Sequence, residues 1–178
     1  MIELILSGLI GLLSGFGVKF FYDEIKQPNL KINDNPNELE YVRCINDEDH
    51  LEYLVYRIFV YNKKRLALNS AADNCIAWIT SINRETKEQI SWIGGPNKIT
   101  INVDDYQKVN LFAIRWRTND IFFGTEKDIF PLRQPHRNPP FEFNLKITCS
   151  NGLGDIKKIR INNITWTRSQ NPVDIIIS

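Results

Sequence analysis

Residues 51–62 read LEYLVYRIFVYN, and this stretch decides the fold. Tyr53, Val55, Arg57, Phe59 and Tyr61 alternate with Leu54, Tyr56, Ile58 and Val60. Side chains on a strand point to opposite faces with a period of two, and aromatic and β-branched residues favour that pleated surface. Both sets are largely apolar, so the stretch predicts a central strand of a β-sandwich rather than a helix. Arg57 is the exception on its face, and its aliphatic stem can lie along the neighbouring rings.

The same period recurs on both sides of this strand. Cys75–Ile82 (CIAWITSI) alternates, as does Ile99–Val103. In Val109–Thr118 the alternation puts Phe112, Ile114 and Trp116 on the core face, with Val109, Leu111, Ala113, Arg115 and Arg117 opposite. Phe141–Cys149 (FEFNLKITC) is the cleanest case, with Phe141, Phe143, Leu145, Ile147 and Cys149 inward. Ile156–Thr167 and Val173–Ile177 follow. About eight strands separated by turn chemistry, with no amphipathic helix, predict a mainly β domain, an antiparallel sandwich with Greek-key connections.

The amino-terminal end has a different pattern. Ile2–Tyr22 (IELILSGLIGLLSGFGVKFFY) carries no charge between Glu3 and Lys19. As a helix it would reach roughly 31 Å, close to a bilayer core of about 30 Å. Residues 1–26 are therefore read as a single membrane-anchoring helix, with residues 2–22 in the lipid bilayer. Residues 27–37 (QPNLKINDNPN) form a linker, and residues 38–178 the β domain. Lys19, Lys26, Lys31 and Arg43 follow the apolar run, which by the positive-inside tendency puts the C-terminal domain on the cytoplasmic side. Ser7, Gly11 and Gly15 lie four apart, the spacing that lets two membrane helices approach closely, and are read as a helix-association stripe.

An N-terminal anchor, a proline-containing exit, the strand end Val60-Tyr61-Asn62-Lys63 and the pattern Ala71-x-x-Asn74-Cys75-x-Ala77 together resemble uncharacterised prokaryotic, particularly archaeal, membrane-anchored immunoglobulin-like β-sandwich proteins. The resemblance covers Leu51–Ile82. It implies an immunoglobulin-like sandwich and brings no catalytic residues with it.

Composition narrows the function. The chain has 178 residues, 22 basic against 21 acidic, with a net charge of +1. Without a basic excess no nucleic-acid partner is expected. Cys44, Cys75 and Cys149 are far apart and lack metal-ligand spacing, so free thiols are expected; a Cys75–Cys149 disulfide across two facing sheets is the alternative. His50 and His136 lack ligand-spaced neighbours, and Asp104 with Asp105 reads as a turn rather than a calcium site completed by Glu126 or Asp128. No nucleophile elbow, phosphate loop or acid–base pair stands out, so no catalytic residue, cofactor or metal is expected.

The stretch from Arg115 to His136, with Arg137 beside it, mixes guanidinium and aromatic groups next to the proline-rich PLRQPHRNPP (131–140), a composition typical of protein interfaces. Arg115, Arg117, Lys127, Arg133, His136 and Arg137 are the candidate partner-binding residues. The expected function is a non-enzymatic, membrane-anchored interaction module that binds a protein partner or a second copy. The alternatives are an accessory structural subunit of a larger membrane complex and a ligand-sensing sandwich.

Overall fold

The computed structural model describes residues 15, 17–19, 26–45, 50, 52–64, 70–81, 87–116, 120–123, 140–166 and 173–178. Among them lie β1 (Leu30–Ile32), β2 (Glu40–Ile45), β3 (Glu52–Asn62), β4 (Ala72–Ser81), β5 (Lys87–Ile90), β6 (Ile99–Ile101), β7 (Tyr106–Arg115), β8 (Ile121–Phe122), β9 (Phe141–Thr148), β10 (Asp155–Ile164) and β11 (Val173–Ile177). β1 and β8 have only three and two residues, too few for a period of two to mark them in a sequence.

The described residues form two antiparallel sheets, and the chain is mainly β and sandwich-like. One sheet runs β1-β3-β7-β8 and the other β11-β10-β9-β4-β5. In the first, β7 takes one side of β3, while β1 and β2 share the other: β1 pairs with Val60–Asn62 and β2 with Glu52–Arg57. In the second, β6 joins β4 next to β5.

The core follows the alternation of β3. Leu54, Tyr56, Ile58 and Val60 are buried in one apolar cluster with Ala77, Ile79, Leu145, Ile147, Ile159 and Ile161 from the second sheet. Tyr53 and Val55, on the opposite face, form a separate small cluster with Ala113 and Phe122. The alternation expected for β7 fails in its first half. Val109 and Leu111 join the same core as Phe112 and Ile114. The register explains this: Tyr56 pairs with Phe112 but Arg57 with Asn110, so Leu111 is an extra residue in a β-bulge, and inward and outward positions exchange across it.

Within residues 27–37, read as linker, Leu30 and Ile32 are core residues of β1, and Pro36–Glu38 is a 3-10 turn capped by the Asn35 side chain. Ser7 and Gly11 lie outside the described residues, as does most of Ile2–Tyr22; Gly15 is helical and exposed. Among the described residues no helix is long and apolar enough to cross a membrane.

Candidate interaction face

The outward positions of β3 and β7 face each other in register: Tyr61 with Tyr106, Phe59 with Lys108, Arg57 with Asn110. Period-two alternation turns these side chains away from the core, and antiparallel pairing puts them within contact distance. The rings of Phe59, Tyr61 and Tyr106 form a cluster with centroids 5.3 Å apart for Phe59–Tyr106, 5.7 Å for Tyr61–Tyr106 and 6.2 Å for Phe59–Tyr61. Lys108 Nζ lies 4.9 Å from the Phe59 ring centre and Lys63 Nζ 5.5 Å from that of Tyr61, within the range of cation–π attraction. Tyr106 remains 47% exposed, so the cluster is a surface feature.

Beside the rings, the Glu40 carboxylate accepts hydrogen bonds from Lys108 Nζ and, at 3.2 Å, from Arg57 Nη1. Arg57 Nε donates to Asn110 Oδ1 at 3.4 Å. The hydrogen bond from Lys108 is the main reason the Glu40 carboxyl is held below its ordinary pKa, against the opposing effect of desolvation. Glu40 therefore fixes the two cations that border the aromatic cluster.

Tyr61 also lines a polar groove of about 210 Å³, together with Lys31, Asp34, Lys63, Asp155 and Lys157. The two carboxylates have structural partners here. Asp155 accepts the Ile32 N–H at 2.8 Å and its own neighbour Ile156 N–H at 3.0 Å. Lys157 pairs with Asp34 at 3.1 Å and holds that carboxyl below the usual range.

The groove sits at the end of the domain where the chain arrives from residues 26–29, and Asn62 organises that end. Its Oδ1 accepts the Asn29 N–H at 3.0 Å, while Nδ2 donates to the carbonyls of Ser70 and Ile101, each at 3.0 Å. Asn29 and Lys63 are tied in turn, with Lys63 N–H donating to Asn29 O and Asn29 Nδ2 to Lys63 O. A buried amide with every partner satisfied specifies one arrangement of the segments it joins.

Of the residues singled out in the sequence for partner binding, Arg115 alone is among those described. It closes β7, pairs with Asp120 at 3.3 Å and lies 5.4 Å from the Phe122 ring centre. Arg117, Lys127, Arg133, His136 and Arg137 lie outside the described residues. Trp116 packs half-buried against the core edge and Trp166, with the Arg43 guanidinium 4.1 Å above its ring. Among the described residues no group of three or more His, Cys, Asp or Glu is placed to hold a metal ion. The cluster of Phe59, Tyr61 and Tyr106 was missed in the sequence because Tyr61 and Tyr106 meet only through the β3–β7 register. The available signal was the outward series Arg57, Phe59, Tyr61, read there simply as one face of a central strand.

Fold and face together define a β-sandwich-like domain with an aromatic and lysine-rich outer surface. No family model, curated protein or solved structure matches the chain.

Proposed function

We propose that this protein is a non-enzymatic interaction module, an immunoglobulin-like sandwich held at the membrane by a single N-terminal helix, that binds a protein partner at the cytoplasmic membrane surface. The observation that carries this reading is the surface cluster of half-buried Phe59 and Tyr61 with exposed Tyr106, bordered by Lys63 and Lys108. Clustered aromatic side chains supply large contact area at low entropic cost, and such residues dominate binding energy at protein interfaces. The adjoining polar groove, lined by Lys31, Lys63 and Lys157, extends this surface beside the rings. The apolar run Ile2–Tyr22 and the lysines after it support the anchor and its orientation.

The test is co-purification of the full-length protein from native membranes in mild detergent, beside Tyr61→Ala/Tyr106→Ala and Gly11→Ile/Gly15→Ile variants. Loss of two interface aromatics should weaken a stoichiometric partner by about 2 kcal/mol or more, roughly 30-fold in Kd. Full retention of the partner by the folded tyrosine variant would remove this face from consideration. Loss only in the glycine variant would favour assembly through the helix, as in a subunit of a larger complex.

A further inference from the structure

The pairing of β4 with β9 brings two cysteines together. The ladder sets Ala77 opposite Ile147 and Ile76 opposite Thr148, and one step further along the same register Cys75 stands opposite Cys149. Cys75 is fully buried in the core, and Cys149 is half-buried against it. The two therefore lie side by side on the inner face of one sheet, not across two facing sheets as the sequence alternative supposed. Directly opposite residues on antiparallel strands have Cα atoms about 4.5–5.5 Å apart, within the range of about 4.4–6.8 Å that disulfides bridge. Both thiols are free, with Cys75 Sγ donating to the Ala72 carbonyl at 3.2 Å.

The backbone beside the pair is irregular. Asn74 adopts a left-handed conformation with φ 50°. Ser150 N–H donates to Asp73 O at 2.9 Å, and the β4–β6 register slips between Ala72 and Cys75. The ladder is thus locally interrupted next to the buried thiol, as expected of a bulge.

We propose that Cys75 and Cys149 are a cross-strand thiol pair that closes to a disulfide within the second sheet on exposure to a disulfide oxidant such as oxidised glutathione. Cys149, the more accessible, loses its proton to solvent, and its thiolate attacks one glutathione sulfur and displaces the other as thiolate. Cys75 then loses its proton and attacks Cys149 Sγ, forming the protein disulfide and releasing the second glutathione thiolate. Two protein thiols are oxidised, and one oxidised glutathione is reduced to two glutathiones. Burial, with a smaller contribution from neighbouring Cys149, pushes the Cys75 thiol up to about 12. Burial raises the Cys149 thiol as well, so both attacks draw on a small thiolate fraction and the overall rate of linkage should rise with pH near neutrality, since the thiolate is the attacking species.

The experiment oxidises the folded full-length protein in detergent with oxidised glutathione, beside Cys44→Ser and Cys149→Ser variants, followed by intact-mass and peptide mapping. The expected product of the wild type and of Cys44→Ser has lost two hydrogens and carries a Cys75–Cys149 link; Cys149→Ser forms no such link. Any of three results would overturn the proposal: both thiols persisting in the folded protein, a glutathione adduct at Cys149 that never closes, or a link that appears only in denaturant.

Discussion

Asn62 ends β3 with no solvent exposure, and its amide serves three backbone groups from three separate segments. An alanine there removes all three bonds and leaves the Asn29 N–H and the carbonyls of Ser70 and Ile101 to find other partners. Unsatisfied buried groups cost about 1–3 kcal/mol each before relaxation. Asn62→Ala should therefore destabilise the domain by about 2–4 kcal/mol, read as a drop in denaturant midpoint at constant slope. Glu40 gives a second test at this scale. Its folded pKa lies below the unfolded value near 4.5 because Lys108 and Arg57 favour the charged form. Its contribution is therefore complete above 4.5 and is lost as pH falls through the depressed folded value. Glu40→Gln should abolish that component of the acid-side slope in a stability-versus-pH series; an unchanged slope would show that the Lys108 and Arg57 contacts carry no linkage.

Individual strands show what alternation reveals and where it stops. Phe141–Thr148 was fully legible, because its inward residues are apolar and its outward ones polar without exception. β7 was not, because Leu111 is an added residue and simple alternation assumes a ladder without insertions. Short β1, the apolar-polar-apolar triplet Leu30-Lys31-Ile32, lies in the stretch read as linker, and its place in the sheet depends on Asn62 and on pairing with residues about thirty positions away, which no local pattern encodes. The turn from β9 to β10 carries a tight approach. A Cβ at Gly154 would run into the Ile147 carbonyl. Gly154→Ala should cost about 1–3 kcal/mol through the strain of overpacking, measurable as a lower thermal midpoint. The thiol pair instead ties β4 to the end of β9: closing a loop of roughly 75 residues would stabilise the oxidised form by about 4 kcal/mol in the chain-entropy picture.

At the scale of the molecule, the sheet architecture was readable because its long strands carry strong period-two patterns. The candidate face was not, because it arises from cross-strand neighbours. Phe59 and Tyr61 could be placed together on one side of β3, but Tyr106 and Lys108 reach them only through the β3–β7 register. Charged residues at Arg115 and beyond attracted attention through composition alone, and Arg115 proves to have partners within the domain, Asp120 and Phe122. The tyrosine double variant described above tests the face as a unit, since substitutions in one contact cluster do not add independently.

The Asn29–Asn62 clamp has a mechanical consequence. If residues 1–25 are fixed in a bilayer while a partner pulls on the sandwich, tension meets the domain first at Lys26, whose carbonyl accepts from the Ser70 N–H and hydroxyl, and then at Asn29 before it passes into β1. There the load is shared by the Asn62 amide, the paired Asn29 and Lys63 backbones and the three residue pairs from Leu30–Asn62 to Ile32–Val60. β1 lies alongside long β3, so a pull along its axis strains these contacts together rather than one after another. The junction would thus resist sudden extension, and its rupture would release a few residues of slack before the rest of the core felt the force.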